Sequence, residues 1–584
     1  MSALINALDR HTHKQIGENG HIEYGYSNDI REKILQFSFQ VTRTNEYILQ
    51  ELSKVLFDIL NALKIQYDSL TNTGSDATVV TEYLILLYKM IGQTRDVIDG
   101  KGECSLTYMM IYTWYDFYPE LSLYALKCLV DFGDDGKTHQ YGSWKDIKYF
   151  CDYCRKQQGC HIQHPLIQYS INIINKQITN DYTNLISNSD DISLAGKWVP
   201  REKSGRFGWL YEVLACNYFT QYVQTAKTEI AKSSAILKCK TEYRKILSAL
   251  NHKIDTTQIK QCQGEWSKIN FNNVTSVTLT KQKKAFLNIK KNGEERIIGS
   301  IDRRQCAENF NAHIQKAIKG EIEIKGKRVG LENFTKQAIE LSHTIGPERD
   351  LLDSQWRDNS SQTGSLENMI AMVDVSGSMH GDPLNAAIAL GIRVAEKSKL
   401  GKRVMTFSST PKWVNLEGHD GFVSMVQTLQ HAEWGMNTNF DSALNMILDT
   451  IVEAKMEPED VENLTLAIFS DMQMDAADSS CRDKNALFDR IKAKYADAGM
   501  RVKGKPYKPP HILFWNLRST QGFPSLSTQT NVSMMSGFSP ALLNLFCEQG
   551  IDSLQSCSPW SLFLKNLENE RYKIMEIKAR VFFT

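Results

Sequence analysis

The rhythm of apolar and polar positions changes once along this chain, near residue 368. Before that point apolar residues recur at helical spacing. Ile34, Leu35, Phe37 and Val41, then Ile48, Leu49, Leu52, Val55 and Leu56, mark residues 30 to 66 as helical. Residues 79 to 92 and 105 to 117 continue the pattern, and Pro119 stands in the early position that helices accept. Ser143 is placed to cap the segment beginning Trp144-Lys145-Asp146, and residues 165 to 177 and 208 to 251 are again helical. Helices joined by Gly- and Asp-rich turns predict an N-terminal all-helical repeat domain, stacked in a HEAT-like manner. No fixed period is present.

Residues 255 to 330 depart from this rhythm. Thr/Val/Asn segments such as 272 to 280 alternate with Lys-rich ones, which predicts a basic, irregular insertion with some strand. Residues 332 to 345 read as a last helix, and the polar stretch from 351 reads as a linker. Then short apolar runs alternate with helical stretches. The expected strands are 369 to 375, 402 to 408, a short one near Trp413, 464 to 470, 511 to 517 and 530 to 534. Helices are expected at 383 to 398, 420 to 430, 440 to 454, 483 to 495 and 539 to 548. This alternation predicts a doubly wound parallel sheet. The division is an arm at 1–25, the helical repeat domain at 26–254, the insertion and last helix at 255–350, a linker at 351–365 and the sheet domain at 366–584.

Composition narrows the class. With 42% hydrophobic and 23% charged residues among 584, the chain can bury large cores. The lack of a long apolar run argues against a membrane span, and the first residues lack the pattern of a secretory leader. Twelve cysteines in such a chain are expected to be reduced thiols, so an intracellular, cytoplasmic location is expected. The sequons at Asn273, Asn463 and Asn531 then carry no meaning. Net charge is +1, but residues 195 to 330 hold 26 Lys/Arg against 12 Asp/Glu. Such a local excess attracts polyanions, or is simply a solvated face.

The sharpest chemical signal is Asp374-Val375-Ser376-Gly377-Ser378, directly after the first strand of the sheet domain. A carboxylate and two hydroxyls at alternate positions of a tight loop offer hard oxygen ligands of the kind Mg²⁺ or Mn²⁺ prefers. Thr438 lies in a second loop before a helix, and Asp471 ends the strand 464 to 470. In a doubly wound sheet these loops converge on one edge. The competing reading is an ordinary strand-to-helix turn capped by a serine. Nucleophilic catalysis is disfavoured, because only His380 lies in these loops and no G-x-S-x-G elbow occurs.

Here the chain resembles the von Willebrand factor A family. That family's metal-ion-dependent adhesion site consists of an Asp-x-Ser-x-Ser loop, a Thr from a second loop and an Asp from a third. The resemblance implies that Ser376, Ser378 and Thr438 coordinate the cation directly and that Asp374 and Asp471 act partly through water. It also implies an open position for an acidic group from a protein partner. Further stretches are Thr94 to Glu103, Tyr141 to Asp146, Gly196 to Glu202 and Gly264 to Ile269. They resemble the helical module of the Ro ribonucleoprotein (TROVE) group. The likeness is closer to its uncharacterised relatives, a "domain of unknown function" family of plants, fungi, bacteria and large viruses, in which a helical module also precedes an A domain. The resemblance implies closure of the helices into a ring and binding of single-stranded or structured RNA.

Lys197, Trp198, Arg201, Lys203 and Arg206, with Phe207 and Trp209, are the expected RNA-binding cluster, since cations neutralise phosphates and aromatic faces stack on bases. Both tryptophans read equally well as core residues. Lys281, Lys283, Lys284, Lys290 and Lys291 read as a solvated face. Cys151, Cys154, Cys160 and His161, with His164 nearby, carry zinc-binding residue types, but two of the cysteines fall inside a helical pattern, and core thiols are the preferred reading over zinc. The acidic run from Asp471 through Asp475 and Asp478 reads as a solvated loop. The expected function is that of an intracellular, non-enzymatic scaffold with a cation-dependent partner site and an RNA-binding helical domain. The alternatives are a scaffold that binds only protein, and a metal-dependent hydrolase or nuclease.

Overall fold

The structure is a computed structural model. It describes residues 14–17, 20, 22–131, 140–431, 439–473, 487–520, 522–547 and 556–583. An N-terminal helical region leads into a C-terminal mixed sheet of six strands, and a two-stranded ribbon, β1 (Lys14–Ile16) and β2 (Ile22–Tyr24), precedes both.

The helical region begins with α1 (Ile30–Gln40), α2 (Glu46–Asn72), α3 (Thr78–Arg95), α4 (Cys104–Tyr115) and α5 (Pro119–Cys128). It continues with α6 (Trp144–Lys156), α7 (Pro165–Ile186), α8 (Gly208–Tyr218) and α9 (Glu229–Ile254). Asp29 and Asn45 cap α1 and α2 by accepting from the Glu32 and Ile48 amides, and Ser143 and Asp146 form a capping box on α6. The apolar faces of these helices bury one continuous core that includes Leu56, Leu84, Trp114, Phe150 and Leu214.

Residues 276 to 360 are more regular than their composition predicts. The Thr/Val/Asn segment 272 to 280, in the stretch expected to be irregular with some strand, instead leads into α10 (Ser276–Phe286), which packs with α11 (Ile301–Ile318) around Phe271, Phe286 and Phe310. Burial of Leu279 and Phe286 on one side outweighs the strand preference of Thr and Val. After α12 (Leu331–Glu340), most of the expected linker at 351–365 lies in α13 (Pro347–Ser360). Its polar residues are buried because they satisfy backbone groups: Gln355 Nε2 donates to Lys325 O (2.9 Å) and Asn359 Nδ2 to Gly326 O (3.2 Å).

The sheet has the order β5-β4-β3-β6-β7-β8, with β3 (Met369–Asp374), β4 (Arg403–Phe407), β5 (Lys412–Asn415), β6 (Thr465–Ser470), β7 (His511–Asn516) and β8 (Val532–Ser536). All pairs are parallel except β4–β5. That exception departs from the expected all-parallel sheet, because the few residues between β4 and β5 permit only a hairpin. Alternate residues of β3, β6 and β7 face two separate cores. Val373, Phe469 and Trp515 pack toward α14 (Asp382–Lys397) and α15 (Phe422–Gln430), and Met372, Ile468 and Phe514 toward α16 (Phe440–Glu453) and α17 (Leu487–Lys503). Both faces are covered, as the apolar runs require.

The chain's last two helices depart from the sheet. From α18 (Pro559–Leu567) and α19 (Lys573–Phe583), Trp560, Phe563, Met575 and Phe583 join the core of the helical region, as does Tyr572 in the turn between them. Helix α1 is wedged between the halves. Asn516 Nδ2 donates to Phe39 O (3.0 Å), and Lys101 Nζ donates to Ser38 O (2.9 Å), Val41 O (2.7 Å) and Ser536 Oγ (2.7 Å).

Candidate metal centre and nucleic-acid surface

β3 is the point where the strand order reverses: β4 lies on one side and β6 on the other. Ligands of open α/β sheets bind outside the carboxyl ends of strands at such a point. Asp374 is the last residue of β3, and Asp471 follows the last residue of β6. Both are completely buried. The turn after β3 is fixed by the Ser376 amide, which donates to Asp374 Oδ1 (2.9 Å), so the next residues wrap around the carboxylate. The Ser376 and Ser378 hydroxyls then lie 3.2 Å apart. Ser376 also meets Asp374 through its side chain, and Ser378 meets Asp471. Ser470 Oγ donates to Asp374 Oδ2 (2.6 Å), and the Gln473 amide donates to Asp471 Oδ1 (3.1 Å).

Two carboxylates and two hydroxyls therefore converge, as the spacing predicts. Burial and the neighbouring Asp471 charge push the Asp374 carboxyl up to about 7, against hydrogen bonds from Ser376 and Ser470. Burial likewise raises Asp471, opposed by the Gln473 amide, the Ser378 hydroxyl and Arg518. This oxygen-only donor set, with two adjacent buried acids, fits a hard divalent cation. Among the described residues no group of three or more His, Cys, Asp or Glu is gathered as a metal site.

Thr438 lies outside the described residues, as do Asp475 and Asp478. Asn439, the residue after Thr438, donates its amide to Ser408 O (2.8 Å) just beyond β4 and caps α16 through Ser442 N (3.0 Å). His380 is exposed. Two residues escaped the sequence reading. Ser470 is the acceptor-orienting hydroxyl beside Asp374, legible in hindsight because it precedes Asp471. Arg518, two residues beyond β7, places Nη1 3.3 Å from Ser378 O and 3.5 Å from Asp471 Oδ2. No motif marks it.

The second candidate lies on α6 and the segment before α8. Trp198 and Trp209 are half-buried, Phe207 is buried, and Arg201, Lys203 and Arg206 are exposed. Lys148 Nζ lies over the rings of Trp198 (5.2 Å) and Phe207 (5.1 Å), and Lys145 Nζ over Tyr149 (5.1 Å). Lys197 lies 5.9 Å from the Trp198 ring, and Arg155 lies 4.5 Å from the Trp209 ring. Burial, Lys145 and Arg206 all depress the Lys148 ammonium. Arg206 is also paired with Asp152 (2.5 Å). The structure thus brings Lys197, Trp198 and Arg206 together and adds Lys145, Lys148 and Tyr149. Of the other basic run, Lys283 donates to Gln337, and Lys284 and Lys290 pair with Glu348 and Glu294.

The four zinc-type residues do not form one centre. Cys151 and Cys154 are core residues of α6, burial pushing the Cys151 thiol up to about 12 and the Cys154 thiol well above its usual value. Cys160 meets Tyr112 OH, and exposed His161 accepts the Gln163 amide. His164 caps α7.

The helical-region segments singled out in the sequence have architectural roles. Arg95 donates twice to Asp146 (2.9 and 2.8 Å), which joins the Thr94–Glu103 segment to the Tyr141–Asp146 segment. A Cβ at Gly142 would sit 2.7 Å from Asp146 Oδ2, so the pair needs glycine there. Asp96 accepts from Arg571 (2.6 and 2.5 Å), and Glu103 pairs with Arg43 (3.0 Å). In the fourth segment Asp302 accepts the Trp266 and Ser267 amides.

No helix among the described residues is long and apolar enough to cross a membrane. Residues 368–576, which begin at the strand entry into the sheet, match a family described as "Domain of unknown function (DUF7788)". Residues 171–357 match one described as "Domain of unknown function (DUF2828)". The chain is similar to "Uncharacterized protein L728" of Acanthamoeba polyphaga mimivirus, at 28% identity over 499 residues, covering 82% of this chain and 78% of that protein.

Proposed function

We propose that the sheet half is a von Willebrand A-type module that holds one Mg²⁺ or Mn²⁺ and, through it, an acidic group of a protein partner. The observation that carries this reading is the pair of fully buried carboxylates, Asp374 and Asp471, facing the Ser376 and Ser378 hydroxyls at the strand switch point. Buried acids without a matched buried base are costly, and a divalent cation offsets that cost. Ser376, Ser378, Asp374 and Asp471 would hold the ion, with Thr438 as the further ligand that the resemblance implies. The role is read as binding rather than catalysis, because among the described residues no second acidic cluster for a two-metal hydrolase is gathered. Titration of the full chain with Mn²⁺, followed by calorimetry, tests the site. One ion bound by the parent chain and none by Asp374→Ala supports it; equal binding by both refutes it. Partner capture that survives EDTA refutes the cation-dependent mode of recruitment.

A second reading is favoured by one specific observation, the ring-and-cation cluster of Lys145, Lys148, Tyr149, Trp198 and Arg206. Lysines crowded together over aromatic faces suit phosphates and stacked bases, so the helical region is read as an RNA-binding module of the Ro-like kind, in a cytoplasmic scaffold. Single-stranded RNA that fails to bind at low salt, or that binds Lys148→Ala as well as the parent chain, removes this reading.

A further inference from the structure

We infer that Arg518 is a tethered cation that competes with the divalent ion of the sheet half, and that its loop links ion binding to helix α1. The inference rests on the cation site proposed above. Asp471 has one oxygen, Oδ1, engaged by the Gln473 amide, while Arg518 Nη1 approaches the other, Oδ2, at 3.5 Å. The same nitrogen is 3.3 Å from the Ser378 carbonyl oxygen, so the guanidinium touches two of the three loop pieces that would surround the ion. Arg518 is about half exposed (49%), whereas Asp471 is fully buried, so the guanidinium approaches the acid from the solvent side. A divalent ion on Asp374 and Asp471 would meet this positive charge at short range. Their mutual repulsion lowers ion affinity unless the guanidinium swings away or an incoming carboxylate sits between them.

The loop that carries Arg518 is held from the other half of the molecule. Its amide donates to Asn516 Oδ1 (3.1 Å), and Asn516 Nδ2 donates to Phe39 O (3.0 Å). Gln40 Oε1, at the end of α1, accepts from the Thr520 amide (2.6 Å) and from Ser519 Oγ (3.1 Å). Residues on both sides of Arg518 are thus pinned to α1, which belongs to the helical core. A shift of the loop that carries Arg518 would load these bonds, and whatever loosens them would in turn favour the ion, since coupling between two sites is reciprocal.

The experiment is Mn²⁺ titration of the full chain by calorimetry, with hydrogen exchange of residues 30–40 read with and without Mn²⁺. Arg518→Gln is expected to bind Mn²⁺ about tenfold more tightly than the parent chain, and Arg518→Lys to stay within about twofold because it keeps the charge. Gln40→Ala, remote from the ion, is expected to tighten binding by about threefold. Mn²⁺ is expected to speed exchange at the end of α1 in the parent chain and not in Arg518→Gln. If Arg518→Gln binds Mn²⁺ equally or more weakly while the parent chain binds well, Arg518 is only a loop fastener and the inference fails alone. If the parent chain, Asp374→Ala and Arg518→Gln all fail to bind Mn²⁺, the cation site itself fails and takes the inference with it.

Discussion

In the helical half Arg95 meets Asp146, Arg571 meets Asp96 and Lys89 meets Glu576, each pair at 2.8 Å or less. In the sheet half Asp374 and Asp471 lie beside each other among hydroxyls and amides, and the charge that reaches them belongs to half-exposed Arg518. The two regions bury comparable carboxylates under different rules. Asp146 is paired: its burial penalty is outweighed by Arg95, so its carboxyl titrates below the usual range. Asp374 is pushed the opposite way. A paired buried charge holds two chain segments together, and two adjacent buried acids reached by one half-exposed arginine are suited to a further cation. By that criterion the helical motifs are fasteners and the Asp374 loop is the place for the proposed cation.

The largest effect should come from breaking a fastener. Asp146→Ala leaves Arg95 buried without its partner and is expected to destabilise the chain by about 3–5 kcal/mol. Urea unfolding followed by far-ultraviolet circular dichroism measures this, and a loss below about 1 kcal/mol would show that Asp146 is not a fastener.

Next comes Lys101, at the seam between the halves. Burial pushes its ammonium down to about 7, opposed by Glu103. Between that value and its unfolded value near 10.5 the unfolded chain binds a proton that the folded chain has shed. Stability should therefore rise with pH in this window, by about 2 kcal/mol from about pH 7 to 9, as far as this group contributes. Unfolding curves of the parent chain and Lys101→Met, compared at both pH values, isolate that contribution; an unchanged slope in the variant removes it.

Gly391 sharpens the comparison from within the sheet half. A Cβ there would approach Val373 Cγ2 to 2.5 Å, where α14 crosses β3. Gly391→Ala is expected to cost about 1–3 kcal/mol by overpacking, visible as a lowered Tm, and to weaken Mn²⁺ binding by shifting the strand that ends in Asp374.

The smallest effect on stability is expected from a fully buried acid, Asp374. Asp374→Asn keeps an acceptor for the Ser376 amide and removes one of two adjacent negative charges. Without added cation its stability should stay within about 1 kcal/mol of the parent chain. Calorimetry should meanwhile show Mn²⁺ binding lost. A stability loss as large as that of Asp146→Ala would place Asp374 among the fasteners.

The site was legible to different depths in its several parts. Asp374, Ser376 and Ser378 could be read because three oxygen-bearing residues at alternate positions follow an apolar run. Asp471 could be read because it ends another such run. Arg518 could not, since an arginine two residues beyond a strand has no distinguishing pattern, and its position depends on Phe39 and Gln40, more than 470 residues earlier. In the helical region Lys197, Trp198 and Arg206 were legible as a run of cations and rings. Lys145, Lys148 and Tyr149 joined them only when α6 packed beside that segment.

Local pattern by itself determined most element types, apart from the stretches around 272–280 and 351–365: the 3.6-residue rhythm before residue 368, the short apolar runs after it, and the switch between them. These follow from which face of each element must leave water, a property the sequence carries residue by residue. Tertiary structure decided what lies between distant segments. It turned the polar stretch at 351–365 largely into a buried helix, sent Trp560 and Phe583 back into the helical core, and set Arg518 against Asp471. Those outcomes depend on which partners satisfy buried polar groups and fill apolar gaps, and such partners are neighbours in space and not in sequence.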